Sequence, residues 1–79
     1  MAENKCSLCN VILSAVSGSV GENPTEEKVR EALGKVSSQL PKSIEGEVVD
    51  FVNAYGELIV GLLASGVKSA DVCSAIGVC

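Results

Sequence analysis

The sequence predicts an all-α domain, a compact bundle of four or five short helices whose two ends are tied together by disulfides. Three observations predict it. Apolar residues recur at helical spacing through the whole chain. The many Val and Ile residues never alternate strictly with period two, and no Asn-Gly or Asp-Gly hairpin turn is present. Four cysteines lie at the ends, Cys6 and Cys9 at one and Cys73 and Cys79 at the other, with none between. Residues 1–79 are read as a single domain with one small core. A chain of 79 residues buries a low fraction of its surface on folding, so covalent staples are expected.

The elements follow in order. Leu8, Val11, Ile12, Ala15 and Val16 share one face of a first helix, which Ser17-Gly18-Ser19-Val20-Gly21 is expected to end. Thr25 reads as the N-cap of a second helix, with Glu26 and Glu27 near its positive dipole end. That helix carries Val29, Ala32, Leu33, Val36 and Leu40 on one face. Glu26–Arg30 and Glu31–Lys35 have i, i+4 spacing for ion pairs on its outer side. Leu40-Pro41 turns the chain, because the residue before proline is pushed out of the α region. Ser43 is the expected cap of a third helix with Ile44, Val48, Phe51, Val52 and Tyr55, and Gly56 permits a bend. Leu58-Ile59-Val60-Gly61-Leu62-Leu63-Ala64 is apolar on every side, a pattern that needs cover all round. Ser65-Gly66 ends it, and Ser69 is expected to cap a short last helix with Val72, Cys73 and Ile76.

Composition narrows the function. With 47% hydrophobic and 20% charged residues the chain is a folded protein, not a disordered one. A mean hydropathy of +0.37 is high for a small domain. Some of this aliphatic surface is therefore expected to meet lipid, a partner or a second copy of the chain. A net charge of −4 and a near absence of aromatics exclude a nucleic-acid footprint. No histidine is present, which removes His-based acid–base chemistry and His-based pH switching. Glu45, Glu47 and Asp50 read as a solvated helix face, and no serine sits in a Gly-x-Ser-x-Gly elbow. Neither catalysis nor a cofactor is expected. The asparagines lack sequons, so N-glycosylation is not expected. No stretch has the roughly 20 apolar residues of a spanning helix, and Met1–Lys5 lacks the apolar core of a signal peptide.

The cysteines admit three pairings, or a metal. Cys6-x-x-Cys9 resembles half a zinc site, but the spacing of Cys73 and Cys79 does not match the other half, and no histidine could complete the set. Disulfides joining the two ends are the better reading, which places the protein in an oxidising compartment.

This frame, Cys6-x-x-Cys9 followed at the far end by Cys73-x5-Cys79, resembles the saposin-like family of saposins, amoebapores, NK-lysin and granulysin. The resemblance runs from Cys6 to Cys79. It includes Ser38-Gln39-Leu40-Pro41-Lys42-Ser43 and Val49-x-x-Val52-x-x-Tyr55-Gly56. It implies the pairs Cys6–Cys79 and Cys9–Cys73. It also implies a third pair at positions that align with Ser37 and Val48, and here the chain departs from the family, since neither residue is cysteine. The departure bears on the rigidity of the central hairpin, which should open more readily.

The resemblance implies a lipid- and membrane-interacting protein that binds phospholipid surfaces, in an extracellular space or an acidic vesicle, and the net charge of −4 adds the expectation that anionic surfaces are bound at acidic pH. Leu58, Ile59, Val60, Leu62 and Leu63 are the candidate lipid or self-association surface, the latter giving a homodimer or higher oligomer. Tyr55 and Gly56 are the candidate hinge. Two alternatives stand beside this reading. One is a membrane-permeabilising defence protein of the amoebapore type, which the acidic charge disfavours. The other is a purely structural interaction module.

Overall fold

The computed structural model describes residues 5–21 and 23–79. Four α-helices make up the fold: α1 Lys5–Val20, α2 Glu26–Gln39, α3 Glu45–Ala64 and α4 Ser69–Ala75. A 3-10 turn at Lys42–Ile44 precedes α3. No strand occurs among the described residues.

Local chemistry sets most of the boundaries. The Thr25 hydroxyl accepts the Lys28 backbone N–H at 3.2 Å and caps α2, whose first turn holds Glu26 and Glu27. Leu40 is extended before Pro41 and stops that helix. Gly66 ends α3 in the left-handed region, at φ 99°. There Val67 N–H bonds Leu62 O at 3.0 Å and Gly66 N–H bonds Leu63 O at 3.1 Å, a Schellman closure. Gly77, at φ 86°, closes α4 in the same way, through Val78 N–H to Cys73 O at 3.2 Å. This second turn folds the chain back so that Cys79 reaches α1.

The structure differs from the sequence reading in four places. First, α1 runs through Gly18 to Val20, because one glycine and two serines weaken a helix without breaking its hydrogen-bond ladder. Second, neither Ser43 nor Ser69 caps a helix. Ser43 lies inside the 3-10 turn, which supplies α3 with a backbone start through Glu45 N–H to Lys42 O, and Lys68 is the N-cap of α4. Third, α3 is one continuous helix across Tyr55 and Gly56, where the sequence permits a bend. Fourth, α1 buries Cys9, Ile12, Leu13 and Val16, while Val11 is 42% exposed. The inward face is therefore turned toward Cys9, whose bridge to Cys73 anchors it in the core.

The core is continuous. Val29, Ala32, Leu33 and Val36 of α2 meet Val48, Phe51, Ile59, Val60 and Leu63 of α3 and the buried face of α1, with Val72 and Cys73 of α4 beneath. Among the described residues no polar or charged side chain is buried. The helices pair as α2 with α3, α1 with α2, and α1 with α4.

Candidate functional site

The covalent frame holds one end of the molecule. Cys6 bonds Cys79 with a Cα–Cα distance of 4.8 Å, and Cys9 bonds Cys73 at 5.9 Å. Both lock α1 to the segment around α4. They close chain separations of 73 and 64 residues. In the chain-entropy model the first closure contributes roughly 4 kcal/mol and the second less, because it lies inside the first. The two bridges sit in different surroundings. Cys9 and Cys73 are 0% and 1% exposed within the core, whereas Cys79 is exposed and Cys6 half-buried.

The apolar run at the end of α3 divides between core and surface. Ile59, Val60 and Leu63 occupy one face and are core residues, Ile59 at 0% exposure. Leu62 is half-buried and packs against the core, and Leu58 points outward at 54% exposure. In this conformation the run is therefore not one apolar surface. The i, i+1, i+4 spacing of Ile59, Val60 and Leu63 turns those side chains into the core that the four helices share, and the monomer hides them.

The hinge candidates lie at the middle of α3. Gly56 is buried and lacks a side chain where α2 approaches, so that a Cβ there would lie 3.9 Å from Leu33 Cδ1. Tyr55 is half-buried, its ring 4.8 Å from that of Phe51, centroid to centroid, and tilted by 42°. One residue beyond Gly56, the Glu57 carboxylate accepts a hydrogen bond from Arg30 of α2, and the same guanidinium lies 3.9 Å from Glu26. The Arg30–Glu57 link joins residues 27 apart and has no periodic signature, so the sequence shows only the Glu26–Arg30 pair. No ion pair joins Glu31 to Lys35 among the described residues, both side chains being solvated.

Two surface features lie outside the sequence reading. Leu8, Phe51, Ala54 and Tyr55 floor a groove of about 350 Å³ between α1 and α3, rimmed by Lys5, Glu47 and Asp50. A smaller one of about 160 Å³ separates α2 from α3, with Ser37 and Val48 both in its lining. Grooves of this kind are made by residues far apart in sequence, and only the tertiary contacts place them together.

Residues 49–79 match the family model for saposin-like type B, region 2. Over 74 residues the chain is 35% identical to saposin-C of Cavia porcellus, covering 94% of this chain and 91% of that protein. The chain belongs to the saposin-like family. It is also 32% identical to prosaposin of Gallus gallus and to prosaposin of Mus musculus, again over 94% of its own length. It spans 14% and 13% of those two proteins. No solved structure matches the chain.

Within the saposin-like frame the missing third cysteine pair can now be placed. Ser37 is half-buried near the end of α2 and Val48 fully buried near the start of α3. Apolar packing holds the two helices together across this groove, with the Arg30–Glu57 contact further along.

Proposed function

We propose that this saposin-like chain binds phospholipid and works at membrane surfaces, catalysing no reaction and needing no cofactor. One observation carries the reading. The interior is apolar throughout the described residues, yet covalent bonds fasten only α1 to the α4 end. Among the described residues, the α2 helix and the first part of α3 are held by apolar packing, with one exposed ion pair between α2 and α3. Separation along that seam, with α3 bending at Tyr55 and Gly56, turns Ile59, Val60 and Leu63 outward beside Leu58 and Leu62. Lipid then replaces the lost core contacts, since acyl chains satisfy aliphatic side chains as well as a core does. A second copy of the chain covers the same surface in a homodimer or higher oligomer.

Charge sets the conditions. At pH 7 the net charge of −4 opposes anionic bilayers. Acidification removes negative charge from the ten acidic residues, and the six basic ones then dominate. Binding to anionic phospholipid is therefore favoured in acid, which suits a secreted protein or one in an acidic vesicle lumen. The test is flotation with phosphatidylserine-containing vesicles at pH 7.4 and 4.5, with dye leakage followed in parallel and circular dichroism reporting the fold. Binding that rises in acid and weakens with salt is expected. Equal binding at both pH values rules out charge as the switch. Leakage makes the protein a permeabilising agent of the amoebapore type, and no binding at either pH makes it a structural module.

A further inference from the structure

We infer that the groove between α1 and α3 binds a cationic amphiphile, with a short alkyl chain on its apolar floor and an ammonium head at its acidic rim. The site belongs to the closed monomer and does not depend on the phospholipid reading.

Three features of the groove support this assignment. The first is its lining. Leu8 of α1 and Phe51, Ala54 and Tyr55 of α3 floor a space of about 350 Å³. Small-molecule sites are apolar clefts of this size with a few placed polar groups. Ala54 contributes only a methyl, so the floor stays open between the larger side chains. The second feature is the pair of rings. The chain has one Phe and one Tyr, and both line this groove. Phe51 is 3% exposed and forms the base, whereas Tyr55 is half-buried and keeps part of its ring accessible. An aromatic face attracts an ammonium, and more strongly where apolar neighbours exclude water. The third feature is the charge of the rim. Glu47 and Asp50 lie one turn apart on α3, so both carboxylates stand on one edge of the groove. Lys5 is the one cation at the rim among the described residues, and no ion pair joins it to Glu47 or Asp50. Two carboxylates against one ammonium leave the rim negative.

Together these features select the occupant. An anionic head would face two carboxylates and one cation. A neutral amphiphile fits the floor but gains nothing from the rim. A cationic head meets the carboxylates and the accessible part of the Tyr55 ring at once, while its chain lies on Leu8 and Ala54. The chain supplies most of the attraction, through burial of apolar surface. The head supplies selectivity, because charge complementarity discriminates between ligands more than it tightens any one of them.

The test uses the native protein and octyltrimethylammonium below its micelle concentration. Octyl sulfate and octyl glucoside are the anionic and neutral comparators. Calorimetric titration measures affinity at neutral pH, and amide NMR maps the site. Octyltrimethylammonium should bind saturably, shift the amides around Leu8, Ala54 and Tyr55, and be preferred over both comparators by about fivefold. Glu47 and Asp50 are exposed, so the double variant Glu47→Gln/Asp50→Asn should keep its helical spectrum and lose about fivefold in affinity. Tyr55→Leu retains an apolar floor without the ring and should lose about threefold. Gly56→Ala adds a methyl that meets Val52 and Leu33, neither of which lines this groove. It should leave this affinity unchanged even where it lowers vesicle association, so the two readings fail separately. Three results overturn the proposal: no saturable binding, equal affinity for the three amphiphiles, or full affinity in the Glu47→Gln/Asp50→Asn protein.

Discussion

Replacing Gly56 by alanine should stabilise the closed protein and weaken its association with vesicles. Gly56 lies inside α3 and is not among the positive-φ glycines, so alanine adopts its backbone without strain. A methyl built there meets Val52 Cγ1 at 3.5 Å and Leu33 Cδ1 at 3.9 Å, which is ordinary van der Waals contact. Alanine is favoured over glycine in a helix interior by about 1 kcal/mol, and burying the methyl adds up to about 0.8 kcal/mol. A gain of about 1–2 kcal/mol raises Tm by roughly 5–15 °C in a domain of this size. Gly61→Ala is the control. Gly61 is exposed in the same helix, and a Cβ there meets nothing within 4 Å, so only the propensity gain applies. If lipid association bends α3 at Tyr55–Gly56, the extra stability of Gly56→Ala must be given up on binding. Association should then fall by roughly five- to thirtyfold, while Gly61→Ala stays near the parent. Urea unfolding and acid-pH flotation measure the two effects. A destabilised Gly56→Ala refutes the packing argument, and a stabilised variant with unchanged association refutes the hinge.

The remaining predictions separate core, cap and surface. Ile59→Glu places a carboxylate at a fully buried position without a partner; it should abolish cooperative thermal unfolding, at a cost of about 4 kcal/mol or more. Leu58→Glu, at the exposed neighbour, should stay within about 0.5 kcal/mol of the parent and still reduce vesicle binding; equal effects at the two positions would contradict the division of the apolar run. Thr25→Ala removes the acceptor for Lys28 N–H and should cost about 1 kcal/mol in urea unfolding, with Thr25→Ser largely restoring it. A double-mutant cycle on Arg30 and Glu57, both well exposed, should give a coupling of about 0.2–1 kcal/mol that disappears in 1 M salt; a salt-independent coupling would mean the pair is shielded from solvent.

Much of this protein is decided by its sequence alone, because the signals are local. Helical spacing in α2 names Val29, Ala32, Leu33 and Val36, and the structure buries all four. Thr25 and Pro41 act through their own backbone neighbourhood, so both ends of α2 are legible. The cysteine frame is also local in its spacing, and it carries the family. What the sequence leaves open depends on contacts between distant segments. Four cysteines allow three pairings, and the packing of α1 against α4 selects one. Glycine at position 56 weakens a helix, yet α3 runs through it without a break, packed against α2. An apolar run with no polar face cannot announce which side is core. The packing of the other helices decides that by covering Ile59, Val60 and Leu63 and leaving Leu58 in water. The contrast between a buried and an exposed disulfide arises in the same way. Solvent access belongs to the assembled surface, and no spacing along the chain encodes it.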